Sequence, residues 1–399
     1  MDALQLVSSL VLSAGLVAVA PARAAPYTLF DLGTLGAGDL MYASGINDLG
    51  QVVGYAYSAG INGWSSTDDY RAFATGPNGA GLTGLGTLGG SWSKAWAIND
   101  SGQVVGDSQL AGGGFRGFIG GNGTPLRDLG TLPGRTNSTA TGINASGQVI
   151  GSATVDSITN PGFQDRWQGY ITGANGQGMQ NLGTVNGLSV IGRGIDDSGR
   201  VVGHDSNSLL TPGAFGTGPG GSNPAALPVP MHDANAINNL GQIAGSVVNP
   251  DNLNEIDAAL RSAGGNTAAL DFHGVPGYFF GSDDPAITTP RSTSWSRDIN
   301  AVGQVAGSFR SLYALRDFAF ITAANGQGVI NVDTLFTLPD GDFFVEATGI
   351  NDAGQFIANT RFGHAYLISP IPEPATLALW AGGLLLIGRK LRRPAPLPA

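Results

Sequence analysis

The stretch INDLGQVVG, residues 46–54, returns along the chain as INDSGQVVG (98–106), INASGQVIG (143–151), IDDSGRVVG (195–203), INNLGQIAG (237–245), INAVGQVAG (299–307) and INDAGQFIA (350–358). Successive isoleucines stand 52, 45, 52, 42, 62 and 51 residues apart, so one supersecondary unit is repeated seven times. In each copy the isoleucine ends a strand. The asparagine then opens a type I turn, its side chain bonding backbone two residues on. The glycine takes φ > 0 and closes a three-residue hairpin with a bulge. The structural turn residues are thus Asn47, Gly50, Asn99, Gly102, Asn144, Gly147, Gly199, Asn238, Gly241, Asn300, Gly303, Asn351 and Gly354. The third position runs Asp48, Asp100, Ala145, Asp197, Asn239, Ala301 and Asp352. A turn accepts that variation, whereas a calcium loop needs its ligands.

Two weaker elements accompany each copy. A short aromatic strand follows, as at Phe73, Phe118, Tyr170, Phe215, Phe320 and Tyr366, with a degenerate fifth version at Asp257-Ala258-Ala259. An LGTL segment precedes most copies, at 32–35, 85–88 and 129–132, with a drifted form at 182–185, and reads as a fourth strand. Small residues stand three before each isoleucine (Ala43, Ala95, Ala140, Gly192, Ala234, Ser296 and Ala347), which suits an innermost strand crowded round an axis. Four antiparallel strands per unit predict an all-β fold, a β-propeller of about seven four-stranded blades. The chain opens with a lone fourth strand at Tyr27–Leu32 and ends its last unit with a third strand at 364–369. Pairing the two would close the ring and cover a sheet edge. An open solenoid is the alternative.

Both ends read as addresses. The apolar run 4–20, followed by Ala22-Arg23-Ala24, predicts a signal peptide over residues 1–24, cut between Ala24 and Ala25. Its front carries Asp2 and no basic residue; a buried N-terminal helix is the other reading. At the far end stand Pro372, Glu373 and Pro374, a short apolar segment over 375–388, then Arg389, Lys390, Arg392 and Arg393. Fourteen helical residues reach about 21 Å, less than the roughly 30 Å of a bilayer core. Residues 370–399 resemble the PEP-CTERM sorting tail. The resemblance implies transient membrane anchoring and recognition by an exosortase-type protease, alongside signal peptidase during export; an ordinary anchor is the alternative. Residues 25–369 resemble the HAF repeat of probable extracellular proteins, with His364-Ala365-Tyr366 closest to the triplet that names it. This resemblance implies architecture and location, not an activity.

Composition narrows the function. There is no cysteine, hence no disulfide and no thiolate site. The net charge of -10 argues against a nucleic-acid partner. The four histidines, His204, His232, His273 and His364, fall in different units and read as loop or edge residues. Ser91 and Lys94 match a Ser-x-x-Lys pattern but fall in a Ser-rich interblade loop without the other elements of that chemistry. No catalytic residue, metal site or cofactor is expected. Long insertions are the candidate binding elements, since functional residues concentrate on loops of rigid scaffolds. One carries Tyr278, Phe279, Phe280, Asp283, Asp284 and Trp295; a second carries Trp64, Asp68 and Asp69. Aromatics beside acids suit sugar stacking or a cation; an inert loop packing its own aromatics is the other reading, and it weighs slightly more.

The expected protein is a non-enzymatic component of the cell envelope or extracellular matrix that binds exopolysaccharide or a surface protein. A purely structural surface protein is one alternative. A polysaccharide lyase or hydrolase is another; it needs carboxylates at the channel, and charge looks scarce near the inner strands.

Overall fold

Ile46 faces Val52 across the first turn, and Gly50 between them has φ 68°, as the hairpin reading requires. The turn closes from Gly50 N to Asn47 O at 2.9 Å. The equivalent glycines of the other copies have φ from 74° to 80°. The computed structural model describes residues 27–58, 70–121, 123–154, 167–206, 213–228, 231–248, 256–278, 293–311 and 314–371. Ala24, Ala25, Trp64, Asp68, Asp69, Phe279, Phe280, Asp283, Asp284, Pro372, Glu373, Pro374, Arg389, Lys390, Arg392 and Arg393 lie outside these residues. So does the apolar C-terminal segment. The repeats form one compact unit over Thr28–Ser369. Among the described residues no helix is long and apolar enough to cross a membrane.

The described residues make seven sheets, one per copy. Blade 1 runs outward from the axis as Asp39–Ile46, Val52–Ser58, Tyr70–Ala74 and Thr83–Gly84. Blades 2 to 6 repeat this order, with inner strands Gly89–Ile98, Asn137–Ile143, Leu188–Ile195, Met231–Ile237 and Thr293–Ile299. Blade 4 gains a fifth strand, Thr184–Val185, beside its inner one. Blade 7 combines Phe344–Ile350, Phe356–Thr360 and Ala365–Pro370 with the first strand of the chain, Tyr27–Asp31. Leu32 N donates to Ala365 O at 3.0 Å, and Thr28 Oγ1 to Ser369 O at 3.2 Å. The ring is therefore closed by the N-terminal strand, and the solenoid alternative is ruled out.

The LGTL segment is not the fourth strand. The outer strands lie just before it, as in Thr124–Asp128 and Gln177–Asn181. Its first leucine adds one rung to the ladder (Leu85 N to Ala72 O, Leu129 N to Gly117 O). The next glycine, at φ 78° in Gly86 and Gly130, then turns the chain toward the following blade. The polar residue ending the outer strand caps this exit, with Asp31 Oδ1 accepting from Gly33 N and Asp128 Oδ1 from Gly130 N.

Packing explains the rest of the repeat. The last glycine of Gln-Val-Val-Gly lies under the inner strand; a methyl group on Gly54 would sit 1.9 Å from Tyr42 O and 2.9 Å from the Phe73 ring. Phe73, Phe118, Tyr170, Phe215 and Phe320 are fully buried in that same register. Blade 5 has Ala259 there. Its missing ring is replaced from the inner strand by Met231, whose methyl reaches the space above Gly245. An unbranched thioether suits such an irregular gap.

The asparagines do more than form turns. Their Oδ1 accepts local backbone N–H groups, as Asn47 does from Leu49 and Gln51. Their Nδ2 crosses to the next blade. Asn47 donates to Asn99 O, Asn99 to Asn144 O, Asn144 to Asp196 O, Asn238 to Asn300 O, Asn300 to Asn351 O, and Asn351 to Asn47 O, all at 2.9–3.0 Å. The ring misses one link, where Asp196 has no amide to give. The glutamines join in: Gln355, Gln103 and Gln242 donate to Asn78, Asn175 and Asn325 of the neighbouring blade. The variable third position adds blade-to-blade bonds wherever it is polar, such as Asp352 N to Asp48 Oδ1 at 2.8 Å.

Candidate binding site at the axial mouth

The inner strands line an axial channel, with the repeated isoleucines at its waist. At the turn end is a cavity of about 240 Å³ lined by Ile46, Ile98, Ile143 and their equivalents, with the turn residues. At the other end is a cavity of about 230 Å³. Its wall comes from the residue two before each isoleucine: Ser44, Trp96, Thr141, Arg193, Asn235, Arg297 and Thr348. The residues four before are Tyr42, Lys94, Thr139, Ile191, Asp233, Trp295 and Glu346. Their partners on the second strand are Tyr55, Asp107, Ser152, His204, Ser246, Ser308 and Asn359. Along the inner strand the seven copies agree at the turn end and differ at this mouth. Charge is therefore not scarce on the inner strands, contrary to the sequence reading.

Blades 1, 2, 6 and 7 build an aromatic and ionic cluster there. Tyr42 and Tyr55 stack at 5.1 Å between ring centroids, and Trp96 meets Tyr55 edge-on at 5.6 Å. Tyr57 and Tyr70 complete the group, 5.8 Å apart. Lys94 Nζ lies 3.6 Å from the Tyr70 ring centroid, a cation–π contact. The Tyr42 hydroxyl donates to Glu346 Oε2 at 2.7 Å, while Arg297 Nε sits 2.5 Å from Glu346 Oε1. Burial, then the Glu346 charge, holds the Tyr42 phenol far above its ordinary range. Asp107 is buried and receives the Trp96 indole N–H; burial raises its pKa to about 6, against the pull of Trp96 and Lys94. Burial also raises the Tyr55 phenol, which feels both Glu346 and Asp107.

Blades 4 and 5 contribute a second group. Arg193 Nε donates to His204 Nε2 at 3.2 Å, so that nitrogen is an acceptor and Nδ1 carries the proton to Asp205 O at 2.9 Å. Burial, and then the Arg193 charge, lower the His204 pKa and keep the ring neutral. On the neighbouring strand His232 Nδ1 lies 2.9 Å from Asp233 Oδ2, a bond that raises the histidine. Burial pushes Asp233 up, but the bonds from His232 and Ser246 prevail and hold it below its ordinary value. His204 and His232 are thus not the isolated edge residues that their sequence separation suggests.

The sequence-derived candidates divide. Tyr278 is committed to packing: it stacks on Phe272 at 4.4 Å, meets Phe309 at 5.5 Å and donates its hydroxyl to Asp257 at 3.1 Å. Trp295 stays half-buried at the mouth, in a cleft of about 330 Å³ with Arg297, Ser308, Arg310, Asp317 and Glu346. Tyr57 and Tyr70, inside the mouth cluster, flank the second candidate loop. Ser91 and Lys94 lie on the inner strand of blade 2, not in a loop, and do not form a pair: Ser91 Oγ donates to Gln109, and Lys94 lies over tyrosine rings. Among the described residues no cluster of His, Asp or Glu has the grouping of a metal site. The mouth itself had a signal in the sequence, the divergence of the copies two and four residues before the repeated isoleucine.

No protein-family model matches the chain, and no curated protein matches it. Solved structures of similar shape are a catalytically inactive virginiamycin B lyase from Staphylococcus aureus with quinupristin (TM-score 0.49, 11% identity, covering 86% of this chain and 100% of that one), YCF48 from Cyanidioschyzon merolae (0.49, 8%, 86% and 99%), and TolB from Acinetobacter baumannii (0.45, 11%, 71% and 64%). At these identities the likeness concerns backbone shape alone.

Proposed function

We propose that this is an exported protein of the cell envelope or extracellular matrix, and that it binds polysaccharide, without chemical turnover, at the axial mouth. Export and surface delivery are supported by the apolar leader before Ala25 and by the Pro372-Glu373-Pro374 tail, which resembles an exosortase substrate. The binding reading is carried by one observation: Tyr42, Tyr55, Trp96 and Lys94 form a half-buried cluster, flanked by Asp107 and Glu346, where the copies diverge. Aromatic faces stack on the apolar faces of sugar rings, and carboxylates beside them accept hydroxyl protons. A glycan array probed with the full chain tests the reading. Binding that falls about tenfold in Tyr55→Ala, equivalent to about 1.4 kcal/mol, supports it. Absence of binding leaves the purely structural role.

A polysaccharide-acting enzyme is the second reading, favoured by Asp107. A carboxyl group with its pKa near 6, beside Tyr55, can exchange a proton near neutrality. Release of new sugar ends by the full chain, abolished in Asp107→Asn, would establish this reading in place of the first.

A further inference from the structure

We propose that the axial mouth selects acidic saccharides, holding a sugar carboxylate between Arg193 and Arg297; this rests on the saccharide reading above and adds the charge of the ligand. The inner strands carry three basic residues, Lys94, Arg193 and Arg297, and all three stand at this mouth. The chain as a whole carries a net charge of -10. Its general field repels anions, so an anion is held only where basic groups converge.

The two guanidinium groups converge from blades 4 and 6 on one cavity of about 230 Å³, with Asn235 of blade 5 between them. Both arginines are exposed to it. Each is anchored through Nε, Arg193 on His204 and Arg297 on Glu346. Among the described residues, the terminal nitrogens of Arg193 make no hydrogen bond. That leaves the planar fork, which matches a carboxylate through two parallel bonds. The nearby acids are already engaged. Glu346 takes Tyr42 and Arg297, Asp233 takes His232 and Ser246, and Asp298 takes Ile299 N and Ile350 N. Burial disfavours the charge on Arg193, and the Arg297 charge repels it further, against the attraction of Asp233. A bound carboxylate relieves that repulsion.

The test compares oligogalacturonate with the same oligosaccharide after carboxyl reduction, by titration calorimetry on the full chain. The acid form should bind at least tenfold tighter, by a margin that shrinks as salt is raised. Arg193→Gln and Arg297→Gln should each bring the ratio of the two affinities toward one. Tyr55→Ala should weaken both forms and leave the ratio in place. Equal affinity for both forms in the unaltered chain overturns the inference while leaving the saccharide reading intact. An unchanged ratio in the two arginine variants, with their thermal unfolding unaltered, overturns it as well. Binding of neither form overturns the saccharide reading and this inference together.

Discussion

The side-chain amide of Asn351 donates to the main-chain oxygen of Asn47 at 3.0 Å, across 304 residues of sequence. Blade 7 thereby grips blade 1 as every earlier asparagine grips its successor. Toward the mouth the same two blades are joined again by Asn359, which both donates to Ala43 O and accepts from Ala43 N, and by Thr348, which donates to Ala43 O at 2.7 Å. Asn351→Ala should cost about 1–3 kcal/mol by leaving buried backbone groups unpaired, read as a fall in the chemical-denaturation midpoint with unchanged slope.

Blade 4 departs from the repeat in two coupled places. Asp196 and Arg200 stand where other copies have asparagine and glutamine, and they pair at 2.5 Å with the Asp196 side chain only 1% exposed. Arg200→Gln alone should cost about 3 kcal/mol, since it leaves a buried carboxylate without its cation. Adding Asp196→Asn should recover the loss, because the amide then reaches Asn238 O as its equivalents do. Unfolding curves of both variants check this, and a double variant no more stable than the single one refutes it.

Met231 fills the place of the ring that blade 5 lacks. Met231→Ala should cost about 2–5 kcal/mol, as buried truncations do. Adding Ala259→Phe should restore most of it, since Ala259 occupies the register of Phe73 and Phe118. Thermal unfolding of the single and double variants decides the matter.

The raised pKa of Asp107 makes stability depend on pH with a definite sign. The folded chain holds this proton up to about pH 6, while the ordinary value is 3.8. The contribution is full below pH 3.8 and is lost as pH rises through 6. Asp107→Asn should therefore gain on the unaltered chain between pH 4 and pH 7, by at most about 3 kcal/mol. Denaturation at both pH values measures the gain, and a constant difference contradicts it.

Much of the architecture was legible because it is repeated. Six copies of Ile-Asn-x-x-Gly-Gln and one of Ile-Asp-x-x-Gly-Arg gave the hairpin, the blade number and the order of the inner three strands, and the unpaired Tyr27–Leu32 segment announced the closure. Recurrence shows that Asn47 or Gln103 matters, but not that its amide crosses to a neighbouring blade; only the ring places that acceptor in reach. LGTL misled because the outer strand is made of variable residues pairing through backbone, whereas the recurring part is its glycine exit. The mouth was missed for the opposite reason. Lys94, Asp233 and Trp295 occupy equivalent positions but share no chemistry, so they look like drift until the fold gathers them. His204 and His232 are 28 residues apart and both feel Asp205 and Asp233 only because blades 4 and 5 are neighbours.

The amide ring and the diverse residues occupy opposite ends of the same inner strands. An exchange at Tyr42, Thr139 or Trp295 alters the chemistry of the mouth without touching the amide ring at the far end. Duplicated units could thus drift apart in the side chains they present at one end while still assembling through the other. An engineer could exploit the same separation at positions such as Thr139 and Trp295, leaving in place Ser44, Thr141, Asn235 and Thr348, whose side chains also bond the next blade.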